Sequence, residues 1–379
     1  MHRLQLHYTL SREQSEAKVH NPLIELLSAV RAEGSISGAA RALNMSYRHV
    51  WGALKRWESE LGNELLVWEK GQHARLTPFA DKLIWAERQA QARLAPQIEA
   101  LRTELERTFS LAFDEDQHVL TIYASHDEAI SALRDQARQG HAQIETAPHR
   151  LQLDVRFMGS VDAIRALNEE RCVIAGFHTL IDTGAKSPSE RAYKRLLQPG
   201  RHKIIGFAQR TQGLMVAPGN PLKLTSLQDV IDRRARFAHR SRGSGTRVVL
   251  EELLAQAGLK IQALQGHPDG EPSHAAVAQA VASGQCDTGL GIAAAALQAG
   301  LSFVPLTQEL YHLVCLKSAL NQDSVQTLLN LLKTPAWQAR VAAISGYSPA
   351  RSGEVLAMHQ VLPWWSFQAD KSDATPTKA

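Results

Sequence analysis

What the chain lacks limits what it can be. Cysteine occurs three times in 379 residues, at Cys172, Cys286 and Cys315, far apart and without CxxC spacing. This argues against a disulfide framework and a cysteine-based zinc cluster, and it favours a reducing, cytoplasmic location. No apolar run approaches the roughly 18 residues of a membrane span, so no membrane partner is expected. The first twenty residues carry charges and no apolar segment, so we expect no secretory signal.

The composition is that of a folded, soluble chain. Apolar residues make up 44% and charged residues 21%, which excludes disorder of the whole molecule. At roughly 150 residues per domain, the length predicts two or three domains. The formal net charge of +4 permits an anionic partner without requiring one, so the position of the charges is more informative.

Residues 41–56 lack acidic side chains altogether. Apolar spacing predicts helices over residues 22–32 and 35–43, and a third from the N-cap Ser46 to about Leu61. Two short helices joined by a tight turn predict a helix-turn-helix, and cations without acids on the later helix suit phosphate contact. The alternative is that these cations form an ordinary solvated face.

A β-hairpin wing follows, over residues 64–68 and 74–77, with basic side chains near its tip. We therefore predict a winged helix-turn-helix over residues 21–77, with double-stranded DNA as its partner. The candidate DNA-binding residues are Ser37, Arg41, Ser46, Tyr47, Arg48, His49, Lys55, Arg56, Lys70, His73 and Arg75.

The spacing of these residues matches a known pattern. Its members are Ser35, Ser37, Ala39, Ala40, Arg41, Leu43, Ser46, Val50, Leu54, Glu58, Leu61 and Gly62, followed by Leu76, Thr77, Pro78, Ala80 and Leu83. This pattern resembles the winged helix of LysR-type regulators. The particular residues that this chain has at positions 34–37 and 45–51 look most like those of the DNA-binding domain of molybdate-responsive regulators.

Residues 78–109 predict a long helix with an apolar stripe. The stripe consists of Leu94, Ile98, Leu101 and Leu105. Steps of four, three and four residues are typical of helices that pack against another helix. After a winged helix, this favours a dimerising linker over core packing, and a homodimer or higher homo-oligomer would supply two half-site contacts. Pro96 predicts a kink or a break.

A second architecture follows an acidic boundary at residues 111–117. Strands alternate with helices over residues 118–362, which predicts an α/β domain with a mostly parallel sheet and ligand groups where strands end and helices begin. We predict lobe 1 at about 118–205 and 305–362 and lobe 2 at about 206–304. Two separate strands are predicted within residues 203–217, and two more within residues 303–316. The tail at residues 366–379 is predicted to be disordered.

Four segments of this domain carry a second resemblance, at residues 175–178, 240–247, 274–284 and 288–292. They look like a cytoplasmic offshoot of the molybdate/tungstate-binding proteins. The resemblance implies a periplasmic-binding-protein-like domain with a ligand cleft between two lobes.

A basic segment with two glycines is the strongest anion-binding signal. Residues 233–250 hold six arginines, and Gly243 and Gly245 would let backbone N–H groups approach an anion at a helix N-terminus. The alternative is that these residues only cap helices and carry surface charge. The candidate ligand-binding residues are Ser125, His126, Ser160, His178, Arg242, Gly243, Ser244, Gly245, Thr246, Arg247, Ser273, His274 and Tyr311.

These features predict a one-component transcriptional regulator and not an enzyme. Its expected effector is a small oxyanion such as molybdate or tungstate, with no cofactor. A carboxylate or a molybdenum-cofactor-like pterin is the alternative ligand, and an anion-handling protein that does not bind DNA is the alternative function. A metal site at His126, His178 and His274 can be drawn, but 16 histidines make such triplets common. No G-x-S-x-G elbow supports a serine hydrolase at residues 125–127.

Overall fold

The structure, a computed structural model, describes residues 21–67, 74–113, 117–139, 150–181, 183–184, 186–266 and 270–365. The chain divides into two compact units, Met1–Ile98 and Glu99–Ala379. Lys70, His73 and the tail at 366–379 lie outside the described residues. Among the residues described, no helix is long and apolar enough to cross a membrane.

The first unit has the predicted winged-helix elements. They are α1 (Pro22–Glu33), α2 (Ile36–Ala42), α3 (Tyr47–Leu61), β1 (Leu66–Val67) and β2 (Arg75–Leu76). β1 and β2 pair antiparallel as the wing. Ser46 caps α3, because its side chain accepts a hydrogen bond from the backbone N–H of His49. Leu27, Val50 and Leu54 form part of the buried core, so the apolar face of each helix points inward.

Helix α4 (Pro78–Phe113) continues four residues beyond its predicted end at residue 109 and enters the predicted boundary segment. It runs through Pro96 without interruption, so the expected break is absent. Two residues of the apolar stripe are exposed: Leu94 is 39% and Leu101 58% accessible.

The second unit alternates strands and helices as predicted. Its strands are β3 (Gln117–Ala124), β4 (Arg150–Phe157), β5 (Ile174–Leu180), β6 (His202–Val216), β7 (Phe237–Ala238), β8 (Thr288–Ile292), β9 (Ser302–Leu316), β10 (Tyr347–Pro349) and β11 (Val355–Leu356). Its helices are α5 (Glu128–Gln139), α6 (Ser160–Asn168), α7 (Pro188–Tyr193), α8 (Leu227–Asp232), α9 (Gly245–Gln256), α10 (His274–Ala282), α11 (Ala293–Gln298), α12 (Asp323–Lys333), α13 (Pro335–Ala342) and α14 (Met358–Val361), with short 3₁₀ turns at Ile261–Ala263, Lys317–Ala319 and Pro363–Trp365.

Within the described residues these strands form one sheet, in the order β4-β3-β5-β9-β6-β8-β7, with β10 and β11 also paired to β6. We call the end with β3, β4 and β5 the first lobe and the end with β7 and β8 the second lobe. β6 and β9 run through both and are antiparallel to each other. The sheet is therefore mixed, and the prediction of a mostly parallel sheet was wrong, because these two long strands cross between the lobes in opposite directions.

The prediction of four short strands in place of β6 and β9 was also wrong. Register shifts leave an extra residue at Phe207 on β6 and at Leu306 on β9. Such bulges bend a strand without ending it, and the second one accommodates Pro305, which cannot donate to the ladder. Helices pack on both faces of the sheet, and apolar clusters fill the space between them.

Candidate functional site

The ends of three parallel strands meet the start of α9. β3 ends before Ser125, β4 leads through Gly159 into α6, and β5 contains His178. The backbone N–H of Val161 donates to the carbonyl of Gly243 over 3.3 Å, so the first lobe contacts the loop of the second lobe that precedes α9. We call the space around these residues the cleft.

Gly245 has no room for a side chain. A Cβ atom built on it would lie 2.3 Å from Cδ2 of His178 and 2.7 Å from the hydroxyl oxygen of Ser160. Gly159 is packed equally closely, because its Cβ would lie 2.5 Å from the carbonyl oxygen of Gly243. The glycines therefore permit the close approach of the two lobes. Ser160, His178 and Gly245, three of the predicted ligand-binding residues, lie next to one another.

Several polar atoms in this region are buried and lack a hydrogen-bond partner in the described part of the chain. They are the hydroxyl oxygens of Ser125 and Tyr311, both ring nitrogens of His178, and Nδ1 of His274. The other ring nitrogen of His274 lies 3.3 Å from the hydroxyl of Thr246. Buried polar groups are usually hydrogen-bonded, so these atoms indicate a site for a polar ligand.

The two histidines are held neutral. Burial, together with the charges of Arg210 and Arg240, lowers the pKa of His178 well below its usual value. Burial and the same two arginines likewise lower the pKa of His274. A neutral imidazole can donate from one nitrogen and accept at the other, so each ring can hydrogen-bond an anion without carrying charge.

Arg240 is the residue of the basic segment that is buried in this region. It is 4% exposed, and Nη1 donates to the carbonyl of Glu271 over 3.3 Å. Nε has no partner, and no carboxylate of the described residues forms an ion pair with this guanidinium. Burial, together with the charge of Arg210, lowers the pKa of Arg240 to about 9, and Glu271 opposes this shift. A buried cation without an ion-pair partner is a strong candidate for binding an anion.

A buried polar network lies beside the cleft. Arg210 binds Asp127 and Glu309, and the hydroxyl of Tyr347 donates to Asp127 over 2.6 Å. Gln212 donates to Glu309 over 2.8 Å and lies 3.5 Å from the Thr246 hydroxyl, which connects the network to the start of α9. Burial raises the pKa of Glu309, and the opposing effect of Arg210 is smaller.

Four other predicted ligand residues are exposed or have partners of their own. Arg242 is exposed, whereas Arg247 binds Glu251 over 3.1 Å and contacts His239. Ser244 and Ser273 cap α9 and α10, which is the alternative role considered from the sequence. The assignment of all four as ligand-binding residues stays a prediction.

His126 lies at the edge of the cleft, with its ring tilted against Phe157 at 4.7 Å between centroids. Burial lowers the pKa of His126, and Arg240 contributes to the same direction. In the described residues no cluster of histidine, cysteine, aspartate and glutamate side chains could hold a metal ion.

The described DNA-binding candidates lie on the surface of the first unit. Exposed members are Ser37, Arg41, Ser46, Tyr47, Arg48, His49, Lys55, Arg56 and Arg75. Lys55 forms an ion pair with Glu58 over 2.7 Å, and its ammonium lies 5.0 Å from the centre of the Trp51 ring. The Lys55 side chain is 46% exposed, so its ammonium is accessible to a phosphate.

Sequence reasoning missed Arg240, Arg210, Gln212 and Glu309 as members of the cleft and its network. Arg240 was one of six arginines in a basic segment, and no pattern distinguished it from its exposed neighbours. Arg210 and Gln212 are two residues apart within a polar run at 209–212, and Glu309 ends a polar run at 307–309. Polar residues at alternate positions of two long strands were the signal that could have found them, since such residues share one face of a sheet.

Comparison with known proteins agrees with this geometry. Residues 141–333, about half of the chain, match the family model described as "PBP superfamily domain". The chain belongs to the PBP superfamily. Residues 23–81 match the model described as "Bacterial regulatory helix-turn-helix protein, lysR family". The LysR-type resemblance and the two-lobed fold are thereby confirmed, and the expectation of a regulator rather than an enzyme agrees with both matches.

Two curated relatives of this PBP superfamily member carry no described function. YvgK of Bacillus subtilis, strain 168, is 29% identical over 201 residues, which are 53% of this chain and 64% of YvgK. The chain thus spans less than two thirds of that relative. A protein encoded upstream of a 2Fe-2S ferredoxin gene in Clostridium pasteurianum is 26% identical over 110 residues, which are 29% of this chain and 97% of that protein.

A structure of Corynebacterium glutamicum OxyR with hydrogen peroxide bound is similar at 16% identity and a TM-score of 0.44, covering 84% of this chain and 92% of OxyR. Neither family match distinguishes the molybdate-responsive subtype, which stays a prediction.

Proposed function

We propose that the protein is a one-component transcriptional regulator that binds a DNA operator and responds to a small anion in its cleft. In this proposal α3 and the wing contact double-stranded DNA, α4 joins two copies, and the protein acts in the cytoplasm. The LysR-family match and the exposed cations of α3 support the DNA-binding part. The PBP-superfamily match supports the ligand-binding part.

The observation that carries the proposal is the buried guanidinium of Arg240. A buried charge without an ion-pair partner is unfavourable, and an anion bound beside it would offset that cost. Anions also bind well at helix N-termini, where backbone N–H groups are free to donate. Gly245 begins the twelve-residue helix α9 in the cleft, and the Ser125 hydroxyl provides a further neutral donor.

An oxyanion of the molybdate or tungstate class is the first ligand candidate. It is compact and accepts hydrogen bonds from all directions, which suits a cleft of hydroxyl, imidazole and amide donors. The second resemblance of the sequence supports the same ligand class. Binding of this ligand and of DNA would be coupled reciprocally, as thermodynamic linkage requires.

A carboxylate or a molybdenum-cofactor-like pterin is the second candidate. Gln212 Oε1 and Glu309 Oε2 are buried acceptors without a partner in the described residues. Fully deprotonated oxyanions have no hydrogen to offer them, whereas a pterin ring has N–H donors. This observation favours the larger ligand at the side of the cleft near β6 and β9.

Thermal unfolding with candidate ligands tests the proposal. Molybdate, tungstate, sulfate, phosphate and small carboxylates are compared at the same concentration. A ligand at a hundred times its Kd stabilises the folded state by about 2.7 kcal/mol. Arg240→Gln should abolish the stabilisation, whereas Arg195→Gln, at an exposed arginine of the same unit, should keep it. Equal stabilisation of both variants would show that Arg240 does not bind the anion.

A gel-shift assay at two salt concentrations tests the DNA-binding part. Phosphate contacts make DNA affinity fall steeply as salt rises. Absence of a shift at both concentrations would favour an anion-handling protein that does not bind DNA.

A further inference from the structure

We propose that a doubly charged anion binds in this cleft together with one proton, which is taken up by the pair formed by His178 and Glu309. A singly charged anion of the same shape binds without the proton. This inference rests on the proposed function and adds the charge class of the ligand and its regulation by pH.

The geometry places the proton site directly on the cleft. His178 and Glu309 are both 0% exposed, and Nδ1 of His178 lies 3.9 Å from Oε1 of Glu309. Neither ring nitrogen of His178 has a hydrogen-bond partner in the described chain. The ring packs against Tyr311 at 4.0 Å between centroids and against Gly245, so it has no space to turn away. A proton on this ring would therefore face Glu309 on one side and the cleft on the other.

The groups that face His178 come from every element around it. Charged and titratable neighbours are Glu309, Tyr311 and His312 of β9, Arg210 of β6, Arg240 after β7, His274 of α10 and Tyr193 of α7, with Ser160 as a polar neighbour. Burial and the two arginines keep His178 neutral at physiological pH, because they lower its pKa. Burial raises the pKa of Glu309, so the pair as a whole is ready to accept one proton when negative charge arrives.

The buried charges then decide between ligand classes. Arg210 and Arg240 provide two buried positive charges, and Asp127 and Glu309 match them in number when ionised, although both carboxylates pair with Arg210. A singly charged anion leaves one uncompensated negative charge, which the start of α9 can stabilise. A doubly charged anion leaves two, and charges in a protein interior interact far more strongly than in water. Uptake of one proton restores the charge state that the singly charged anion produces.

The sign of the pH dependence follows. A reaction that takes up a proton becomes less favourable as pH rises. The affinity for the doubly charged anion should thus fall about tenfold per pH unit between the pKa of the empty cleft and the higher pKa of the occupied cleft. The affinity for the singly charged anion should not change over the same range.

Tungstate and perrhenate are suitable probes, because both are tetrahedral and of nearly equal size but differ by one charge. Titration calorimetry of the full chain in two buffers with different heats of ionisation gives the number of protons taken up. We expect about one proton for tungstate and about none for perrhenate. Repeating the titration from about pH 5.5 to about pH 8 gives the change in affinity per pH unit for each anion.

His178→Gln should remove the proton uptake and the pH dependence of tungstate binding. His202→Gln is the matched control, because His202 is buried but has partners on both ring nitrogens. It should behave as the wild type. The proton count of the wild type decides the question even if His178→Gln does not fold.

The outcomes separate this inference from the proposed function. Tungstate binding without proton uptake, or equal uptake with both anions, overturns the proton coupling and leaves the anion sensor standing. If neither anion binds, the oxyanion proposal and this inference fall together.

Discussion

Arg210 on β6 and Glu309 on β9 are cross-strand partners whose side chains form a fully buried ion pair. Asp127, next to the start of α5, binds the same guanidinium. The ion pair therefore connects the first lobe to the two strands that run between the lobes. Gln212, two residues along β6, extends the contact to Thr246 at the start of α9. The cleft and the strands that cross between the lobes thus share one polar network.

Removing the central cation should destabilise the domain strongly. Arg210→Met leaves Asp127 and Glu309 buried without compensation, which typically costs about 3–5 kcal/mol. Urea unfolding of the variant and the wild type measures the difference. Asp287→Asn, in the exposed pair of Arg236 and Asp287, is the control and should cost less than about 1 kcal/mol. Similar losses in both variants would contradict the role assigned to burial.

Adding one methyl group to Gly245 should separate the lobes. In Gly245→Ala the new Cβ meets His178 and Ser160 at distances that neither can accommodate without shifting. Overpacking of this kind costs about 1–3 kcal/mol, so anion affinity should fall about tenfold or more. Gly184→Ala provides the control, because its Cβ would have no heavy atom within 4 Å. Calorimetric affinities that match in the two variants would refute the close approach.

Two cations of α3 should affect DNA binding differently. If Arg48 contacts a base edge, Arg48→Ala costs roughly 1–3 kcal/mol and relaxes sequence preference. Lys55→Ala should instead reduce the salt dependence of binding. The slope of the logarithm of the DNA-binding constant against the logarithm of the salt concentration should fall in magnitude by about one, as loss of a phosphate contact does. Gel shifts over a range of salt measure both. Arg195→Ala, an exposed arginine of the second unit, should change neither; unaltered binding by all three variants would contradict the assignment of α3.

The exposed stripe of α4 should hold two copies together. Leu101→Asp places a charge at a residue that is 58% accessible in one chain and buried in the proposed dimer. An unpaired buried charge is strongly unfavourable, so light scattering should show dissociation. Leu297→Asp is a matched control, because Leu297 is 64% accessible on α11 and lies outside the stripe. A monomeric wild type at micromolar concentration would show that the stripe does not dimerise the protein.

Stability should decrease as the pH falls below the usual pKa of histidine. Burial lowers the pKa of His312 to about 3, whereas an unfolded histidine titrates near 6.5. Between these values the unfolded chain binds a proton that the folded chain does not, so stability is present above about pH 6.5 and is lost below it. The slope from this residue is at most about 1.4 kcal/mol per pH unit. His312→Gln should reduce the slope of the urea-unfolding free energy against pH, and exposed His359→Gln should not.

Local patterns in the sequence determined the winged helix and most elements of the α/β domain. Apolar spacing and polar caps act over a few residues, so Ser46 at the start of α3 and Ser273 at the start of α10 could be read without the fold. The wing, the long helix and the alternation of strands and helices depend on similar short-range rules. The confirmed LysR-type and PBP-like resemblances rest on such local segments as well.

The tertiary structure decided which charges are buried and which lobes meet. Arg240 and Arg242 stand two residues apart in one basic segment, yet one is buried at the cleft and the other is exposed. Arg210 and Glu309 are about a hundred residues apart, and their pairing depends on the antiparallel register of β6 and β9. Burial and register arise from contacts between distant parts of the chain, and these contacts set the energy of a charge. For this physical reason the sequence determined the type of protein, while the fold decided the charge balance of its candidate site.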